Sequence, residues 1–386
     1  MAHVVIIGSG IIGTLSAYYL AEYGIDVTVI ERRDNVACEA SDANGAQLSY
    51  NYVPPLGSPA LPLILLSTIF QPTPAMRVDK WIDPHLWRWG LELLQNSRAR
   101  RSIRNQAVLN ALARQSRTLM QDFLEKVPLE FDYKVNGKLH VFDDPRKLES
   151  LSKRQKILSP DECLALEPFL QQRKGQMAGG IFWANDAVGD CHKFCEGLAQ
   201  WLQKARNVHF MFNTEAKSFI IERGRIKAVK TNNNTISADH VLLCTGAAKM
   251  PGTPVNIYPV KGYSLTLQDT PQPQVNITDH ARRMVFAPLG ADRLRIASFM
   301  RFAGYDMNIH EEDIKVLKER SLEVRPDLPV NTARVLSGLR PFTPSSTPLL
   351  GKLHYDNLYT NLGHGMSGWT LAHATCKKIA DLICDS

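Results

Sequence analysis

Six residues near the amino terminus, Gly8-Ser9-Gly10-Ile11-Ile12-Gly13, have the spacing of a phosphate cradle. In a GxGxxG turn the first glycine permits the tight bend, the second lets a pyrophosphate reach the backbone, and the third lets helix and strand pack closely. The chemistry is anion binding by free N–H groups at the positive end of a helix. Glu31 stands where an acidic side chain accepts hydrogen bonds from the ribose of an adenosine. Arg32 and Arg33 follow it, and arginines suit a 2′-phosphate, so NAD, NADP and FAD are all open here. A second glycine-rich turn, Gly363-His364-Gly365-Met366-Ser367-Gly368, leaves an apolar strand and opens a helix, so its amides also aim at an anion. Arg340 lies in Gly338-Leu339-Arg340-Pro341-Phe342-Thr343-Pro344 after a strand-like run. A guanidinium fork grips a carboxylate bidentately, either on a ligand or within the fold.

The elements that position these residues are legible from pattern. His3–Ile7 is a continuous apolar run suited to a buried parallel strand. Thr14–Tyr23 is helical and ends at Gly24, and Asp26–Ile30 is a second strand. Together they make a βαβ unit of about 30 residues. Asp83–Asn96 and Asn105–Lys126 have helical apolar spacing. Asn136-Gly137 predicts a hairpin between Phe131–Val135 and Lys138–Phe142, and Arg223-Gly224 another between Lys217–Glu222 and Arg225–Thr231. Asp190–Lys204, Glu311–Val324 and Trp369–Ile383 read as helices; Val208–Phe212, Asp239–Cys244, Val255–Leu267, Arg293–Phe302 and Leu358–Leu362 read as strands. The fold class is α/β (α+β): a Rossmann-like domain from residues 1–50, 188–250 and 334–386, with an inserted antiparallel-sheet domain from 51–187 and 251–333.

A chain of 386 residues fits two domains. The net charge is +7, with basic clusters at Ser97–Arg104 and at Lys153, Arg154 and Lys156. These read as solvated faces, and with no nucleic-acid motif beside them a nucleic-acid partner is not expected. Seven scattered cysteines without a CxxC pair argue against a zinc site and a disulfide framework, and for a reducing, cytoplasmic setting. Met1–Gly8 lacks the basic start of a signal peptide. Leu61–Phe70 is too short to span a bilayer; it reads as a buried segment, or else as a place where the protein touches the inner face of the membrane.

Several segments together carry a family resemblance. They are Glu39-Ala40-Ser41-Asp42-Ala43-Asn44-Gly45-Ala46-Gln47 after Glu31, Pro259-Val260-Lys261-Gly262-Tyr263-Ser264-Leu265-Thr266, Ala303-Gly304-Tyr305-Asp306, the Arg340 motif, and Asn361–Thr370. With them the chain resembles the FAD-dependent D-amino acid oxidase superfamily, nearest the bacterial D-amino acid dehydrogenases of small-subunit type. It departs from the family's usual Ala-Asn-Ala-Gly-Gln by reading Ala43-Asn44-Gly45-Ala46-Gln47.

The resemblance implies bound FAD. Gly8–Gly13, Glu31, Arg32 and Ser41 would hold its adenosine and phosphates, with Ala216 near the adenine and Thr245-Gly246 near the phosphates. Ala43, Asn44, Ala46, Gln47 and Leu48 would run along pyrophosphate and flavin, with Gly338 and the Gly363–Gly368 turn at the flavin ring. Arg340 would tether a substrate carboxylate over flavin N5, Tyr263 would add a hydrogen bond, and Tyr50 and Tyr52 would wall the pocket. His364 reads better as shaping its loop than as a base. The implied reaction is hydride removal from a D-amino acid, giving a 2-oxo acid and ammonia, with electrons passed to a quinone or another acceptor that is not NAD. An oxygen-using oxidase of glycine or sarcosine, a D-hydroxyproline dehydrogenase and a non-catalytic flavin-binding subunit are the alternatives.

Overall fold

A computed structural model of the chain describes residues 2–63, 76–151, 155–205 and 207–386. Residues 64–70 of the apolar run Leu61–Phe70, and Lys153 and Arg154 of the smaller basic cluster, lie outside the described residues.

The strand His3–Ile7 pairs in parallel with Asp26–Ile30 on one side and His240–Leu243 on the other. Val208–Met211 and Leu358–Leu362 extend this sheet in parallel, and antiparallel Leu349–Lys352 closes one edge. Val4, Val5 and Ile6 are fully buried, as a strand covered on both faces requires. One cover is helical: Ile11–Glu22, Cys191–Ala205 and Gly368–Cys384 meet around Leu15, Phe194 and Ala372. The other is a small antiparallel sheet, Ala216–Glu222, Arg225–Thr231 and Thr235–Ser237, which packs Ile226 and Val229 on Val5 and Ile7. Its first hairpin turns at Arg223 and Gly224, both at positive φ.

The second domain is built on a larger sheet in the order Arg334–Phe342, Tyr258–Leu267, Arg293–Phe302, Met284–Leu289, Asn276–Asp279, Lys138–Phe142, Gly179–Trp183 and Ile157–Leu158. Its pairings are antiparallel except where Asn276–Asp279 meets Lys138–Phe142 and where Met76–Val78 joins Arg293–Phe302. The helix Glu311–Val324 covers one face, burying Ile314 and Leu317 on Leu265, Ile296 and Tyr263. The opposite face looks toward the nucleotide-type sheet.

Three sequence expectations need correction. Residues 131–135 and 138–142 do not form a hairpin. Gly137 donates its N–H to Asp186 and accepts from Asn276, so the turn is pinned to other segments, and Lys138–Phe142 pairs with Gly179–Trp183 instead. The boundary at 334 also falls wrongly for one strand. Arg334–Phe342 pairs over nine residues with Tyr258–Leu267 and so belongs to the larger sheet. The helix predicted from Asn105 starts at Ala99, taking the basic run into its first turns.

Candidate active site

Two cavities run in series between the sheets. One, about 610 Å³, is lined by Gly8, Ile30, Glu31, Arg32, Ala216 and Thr245. The other, about 480 Å³, is lined by Ile11, Ile12, Ala43, Asn44, Gln47, Gly338, Arg340 and Gly365–Thr370. Gly10, Ala40, Ser41, Cys244 and Gly246 line both, which makes them one continuous trough.

The first cavity has the geometry of a nucleotide cradle. Gly8 sits at φ 100°, and a β-carbon there would stand 2.7 Å from the carbonyl oxygen of Cys244. A β-carbon on Gly13 would strike the Gly8 carbonyl oxygen. The helix Ile11–Glu22 has no capping side chain on Gly10; Ile11 donates to Ser41 Oγ at 3.0 Å, and the remaining first-turn amides are left for an anion. Glu31 is fixed by three donors at 2.9 Å: the Ser9 amide, the Ser9 hydroxyl and the Arg33 amide. Arg32 and Arg33 both pair with Glu39, at 2.6 and 2.9 Å, so the charge that would suit a 2′-phosphate is already engaged.

The second cavity lies where the Ala43–Leu48 segment and the Gly363–Gly368 turn meet the large sheet. Gly45 approaches so closely that a β-carbon would be 3.2 Å from Val285. Ala46 takes φ 59°, the left-handed conformation suited to the glycine of the usual family pattern. Arg295, buried in the sheet, donates to the carbonyls of Asp42 and Asn44 at 2.5 and 3.1 Å and braces the segment from below. Across the cavity the helix Gly368–Cys384 also starts without a capping side chain. Thr278 Oγ1, Asn361 Oδ1, His140 Nε2 and Trp369 Nε1 are buried at the cavity wall without a hydrogen-bond partner among the described residues. Such orphaned polar atoms fit a bound group with several polar edges.

Arg340 reaches this cavity from the strand Arg334–Phe342. Its Nη1 donates to the carbonyl of Phe299 at 2.6 Å. Phe299 sits at φ 70° where the pairing of Tyr258–Leu267 with Arg293–Phe302 slips between Lys261 and Tyr263. A bulge therefore aims a carbonyl at the guanidinium. Among the described residues no carboxylate pairs with Arg340, and burial pushes its pKa down to about 10. It stays charged at neutral pH with its remaining donors open to a ligand.

The structure sorts the other site residues by strand alternation. Gln47 and Ser49 face the cavity, whereas Leu48 and Tyr50 turn into the helical core. Tyr52 lines the cavity beside His140, with ring centroids 6.0 Å apart. Tyr263 does not reach it. It shares a face with Lys261 and packs under Phe299 on the helix side, opposite the face of Gly262 and Arg340. The expectation that Tyr263 helps hold a carboxylate is therefore corrected, and so is a pocket-wall position for Tyr50. Ser9, Gly13, Ala46 and Gly363 shape the backbone without lining either cavity. His364 lines the cavity, with Nε2 on Thr375 Oγ1 at 3.1 Å. Thr375 in turn donates to Ala372, so His364 Nε2 is the donor of that pair. Burial drives its pKa to about 3, so the ring is neutral.

A polar group was missed in the sequence. Lys138, His140, His280 and Arg283 all face the cavity. Lys138 Nζ donates to Ser49 at 2.7 Å, and burial pushes its pKa down to about 8. His140 Nδ1 and His280 Nε2 are 2.8 Å apart; burial depresses both, His280 to about 4. Alternation in Lys138–Phe142 would have placed Lys138 and His140 on one face, but nothing local shows that this face meets residues 278–283. Among the described residues the one carboxylate lining the cavity, Asp279, is tied to Arg173 and Arg282. The cavity is thus set to hold anions.

Fold and site together define a two-domain flavoprotein oxidoreductase, with a nucleotide trough that ends in a buried, cationic reaction chamber. The family model described as FAD dependent oxidoreductase matches residues 3–382, and the chain belongs to that family. It is a flavin-dependent enzyme. It is 36% identical to D-amino acid dehydrogenase 2 of Pseudomonas aeruginosa and to a D-amino acid dehydrogenase of Paramagnetospirillum magneticum, in each case over 98% of this chain and 94% of the relative. Among solved structures, glycine oxidase from Bacillus cereus superposes with a TM-score of 0.74 at 20% identity, covering 100% of this chain and 95% of that one. At that identity the likeness speaks for the fold alone.

Proposed function

We propose that this protein oxidises D-amino acids to 2-oxo acids and ammonia, passing electrons to an acceptor other than NAD, such as a membrane quinone. The observation that carries this reading is Arg340: a half-buried guanidinium held by a main-chain carbonyl, facing the cavity with no carboxylate among the described residues to neutralise it. A substrate α-carboxylate supplies the missing partner through charge-assisted hydrogen bonds. The names and identities of the two curated relatives support the D-amino acid as substrate.

Bound FAD supplies the hydride acceptor, and the residues lining the trough fit it. Gly8, Gly10, Ile11, Glu31, Ser41 and Thr245 would take the adenosine and phosphates; Asn44, Gln47, Gly338 and Met366–Gly368 would take the ring. The chain's own contribution is positioning and electrostatics. Arg340 fixes the carboxylate and thereby the α-carbon. Lys138 and Arg283 make the chamber unfavourable for a further cation, so the substrate amine is held neutral, as hydride loss requires. The helix start at Gly368 favours negative charge in the same space. His364 keeps its turn in place through Thr375. The imino acid that leaves the chamber hydrolyses in water.

The test is turnover with an artificial electron acceptor against paired D- and L-amino acids, glycine, sarcosine and proline derivatives. Oxo-acid formation from D-enantiomers without stoichiometric peroxide is expected. Peroxide released one-for-one with substrate would instead mark an oxygen-using oxidase.

A further inference from the structure

The reaction chamber holds more positive charge than one carboxylate needs. Beyond Arg340, the residues Lys138, His140, Thr278 and Arg283 line the same cavity, and none of them lines the nucleotide cavity, so they stand apart from the phosphates. Among the described residues no carboxylate pairs with Arg283. Its neighbour Arg282 differs, being engaged by Asp279 and Glu323 at 3.5 and 2.8 Å. Lys138 Nζ gives one donor to Ser49 and keeps the others. Asp186, the carboxylate that acts on Lys138, does not line the cavity, and its Oδ1 is taken by the amides of Tyr50 and Asn51 and by the Asn51 side chain. His140 is buried with Nδ1 on His280, while its Nε2 and the Thr278 hydroxyl have no hydrogen-bond partner among the described residues.

The sheet places this group a short way from the anchor. Ser298 and Phe299 are consecutive on the strand Arg293–Phe302. Ser298 Oγ donates to the carbonyl of Arg283 at 2.9 Å, and the carbonyl of Phe299 accepts from Arg340 Nη1 at 2.6 Å. The head of Arg340 and the main chain of Arg283 are therefore about one strand spacing apart, roughly 5 Å. Further across the sheet Thr278 and His140 face each other in a parallel pair, with Lys138 two residues before His140 on the same face. Arg340, Arg283 and Lys138 thus form a row of cations along the chamber. A substrate with two carboxylates separated by a short carbon chain matches such a row.

We propose that the preferred substrates are D-amino acids with an acidic side chain, D-aspartate or D-glutamate, whose second carboxylate pairs with Arg283 while Lys138, His140 and Thr278 donate from beyond it. The inference rests on the D-amino acid oxidation proposed for this same chamber. A neutral side chain leaves these donors unpaired, and a site built to pair with a polar group rejects the analogue that lacks it. Two carboxylates against Arg340, Arg283 and Lys138 still leave the chamber positive, so a protonated amine remains disfavoured. A carboxylate at His140 Nε2 selects the tautomer with its proton there, and His280 Nε2 then donates to His140 Nδ1.

The test is steady-state turnover of the flavin-loaded enzyme with an artificial acceptor, on D-glutamate against D-glutamine and D-aspartate against D-asparagine, with D-alanine and D-methionine as neutral references. For at least one acid kcat/KM should exceed that of its amide by roughly tenfold or more. In Arg283→Gln this ratio should fall by about tenfold, through KM more than kcat. Binding read from the flavin absorbance gives a measure independent of turnover: glutarate should bind about tenfold more tightly than butyrate, and Arg283→Gln should erase the difference. If the amides or D-alanine are oxidised as well as the acids, the inference is overturned while D-amino acid oxidation stands. If no D-amino acid in the set is oxidised, that underlying reading fails and takes the inference with it. An unchanged acid-to-amide ratio in Arg283→Gln, with weaker FAD binding, would assign Arg283 to the flavin and also overturn the inference.

Discussion

The guanidinium of Arg340 rests against the backbone of Gly262 so closely that a β-carbon at Gly262 would lie 2.7 Å from Nη1. The two residues sit on adjacent strands two pairs apart and on the same face, Val260 facing Arg340 and Gly262 facing Gly338. Glycine at 262 thus makes room for the anchor.

Gly262→Ala should therefore mimic damage to the anchor without changing any charge. Losing one or two charge-assisted hydrogen bonds corresponds to a fall of roughly 10- to 100-fold in kcat/KM. Arg340→Lys should do the same by replacing a fork with a point charge. Steady-state kinetics with a good D-amino acid substrate reads both. A Gly262→Ala enzyme with unchanged KM would show that the guanidinium does not need its present position.

Ala46 is held in a left-handed conformation that costs an L-residue about 1–2 kcal/mol. Ala46→Gly should raise stability by about 1 kcal/mol, since glycine's extra unfolded-state entropy offsets part of the relief. Urea unfolding at matched flavin content measures it. A loss of stability would mean that the methyl group's packing with Val188 and Leu289 outweighs the backbone strain.

Lys138 makes stability depend on pH in a definite direction. Burial lowers its pKa from 10.5 to about 8, so the folded state carries the charged form at a cost below pH 8. Between pH 8 and 10.5 the unfolded chain binds the proton and the folded one does not, so stability rises with pH there. Lys138→Met should accordingly raise Tm at pH 7, with a gain of at most about 3 kcal/mol that fades toward pH 10.5. Thermal scans of the flavin-free protein across that range check it. A gain that grows with pH would contradict the assignment.

Glu31 is aimed by Ser9 and Arg33 into the wider cavity, where a ribose would meet it. Glu31→Gln should weaken FAD binding roughly tenfold, as expected for losing hydrogen bonds to a charged acceptor. Equilibrium dialysis or quenching of free-flavin fluorescence reads the change. Unaltered affinity would place the ribose elsewhere.

The nucleotide half of the fold was readable because its signals are local. The run His3–Ile7, the glycines up to Gly13 and the acid at Glu31 lie within one βαβ unit. The strands Arg293–Phe302 and Leu358–Leu362 and the helix Glu311–Val324 carry clear periodicity and fell where it put them. The reaction chamber was harder. Tyr263 and Arg340 each sit in a strongly marked motif, yet alternation about Gly262 sends their side chains to opposite faces. That depends on a register established by pairing between residues 68 to 84 positions apart. His140 and His280 meet only because Lys138–Phe142 pairs with Asn276–Asp279, a parallel contact with no local signature. The hairpin suggested by Asn136-Gly137 failed for the same reason: long-range pairing claimed both flanks.

The most direct test is an anaerobic titration of the purified yellow protein with a D-amino acid, followed by its visible absorbance. Bleaching of the flavin band by the D-enantiomer, absent with its L-counterpart and strongly retarded in Arg340→Lys, is the expected result. A colourless protein that takes up no FAD, or a flavin band that no D-amino acid bleaches, would contradict a guanidinium-anchored amine oxidation in this chamber.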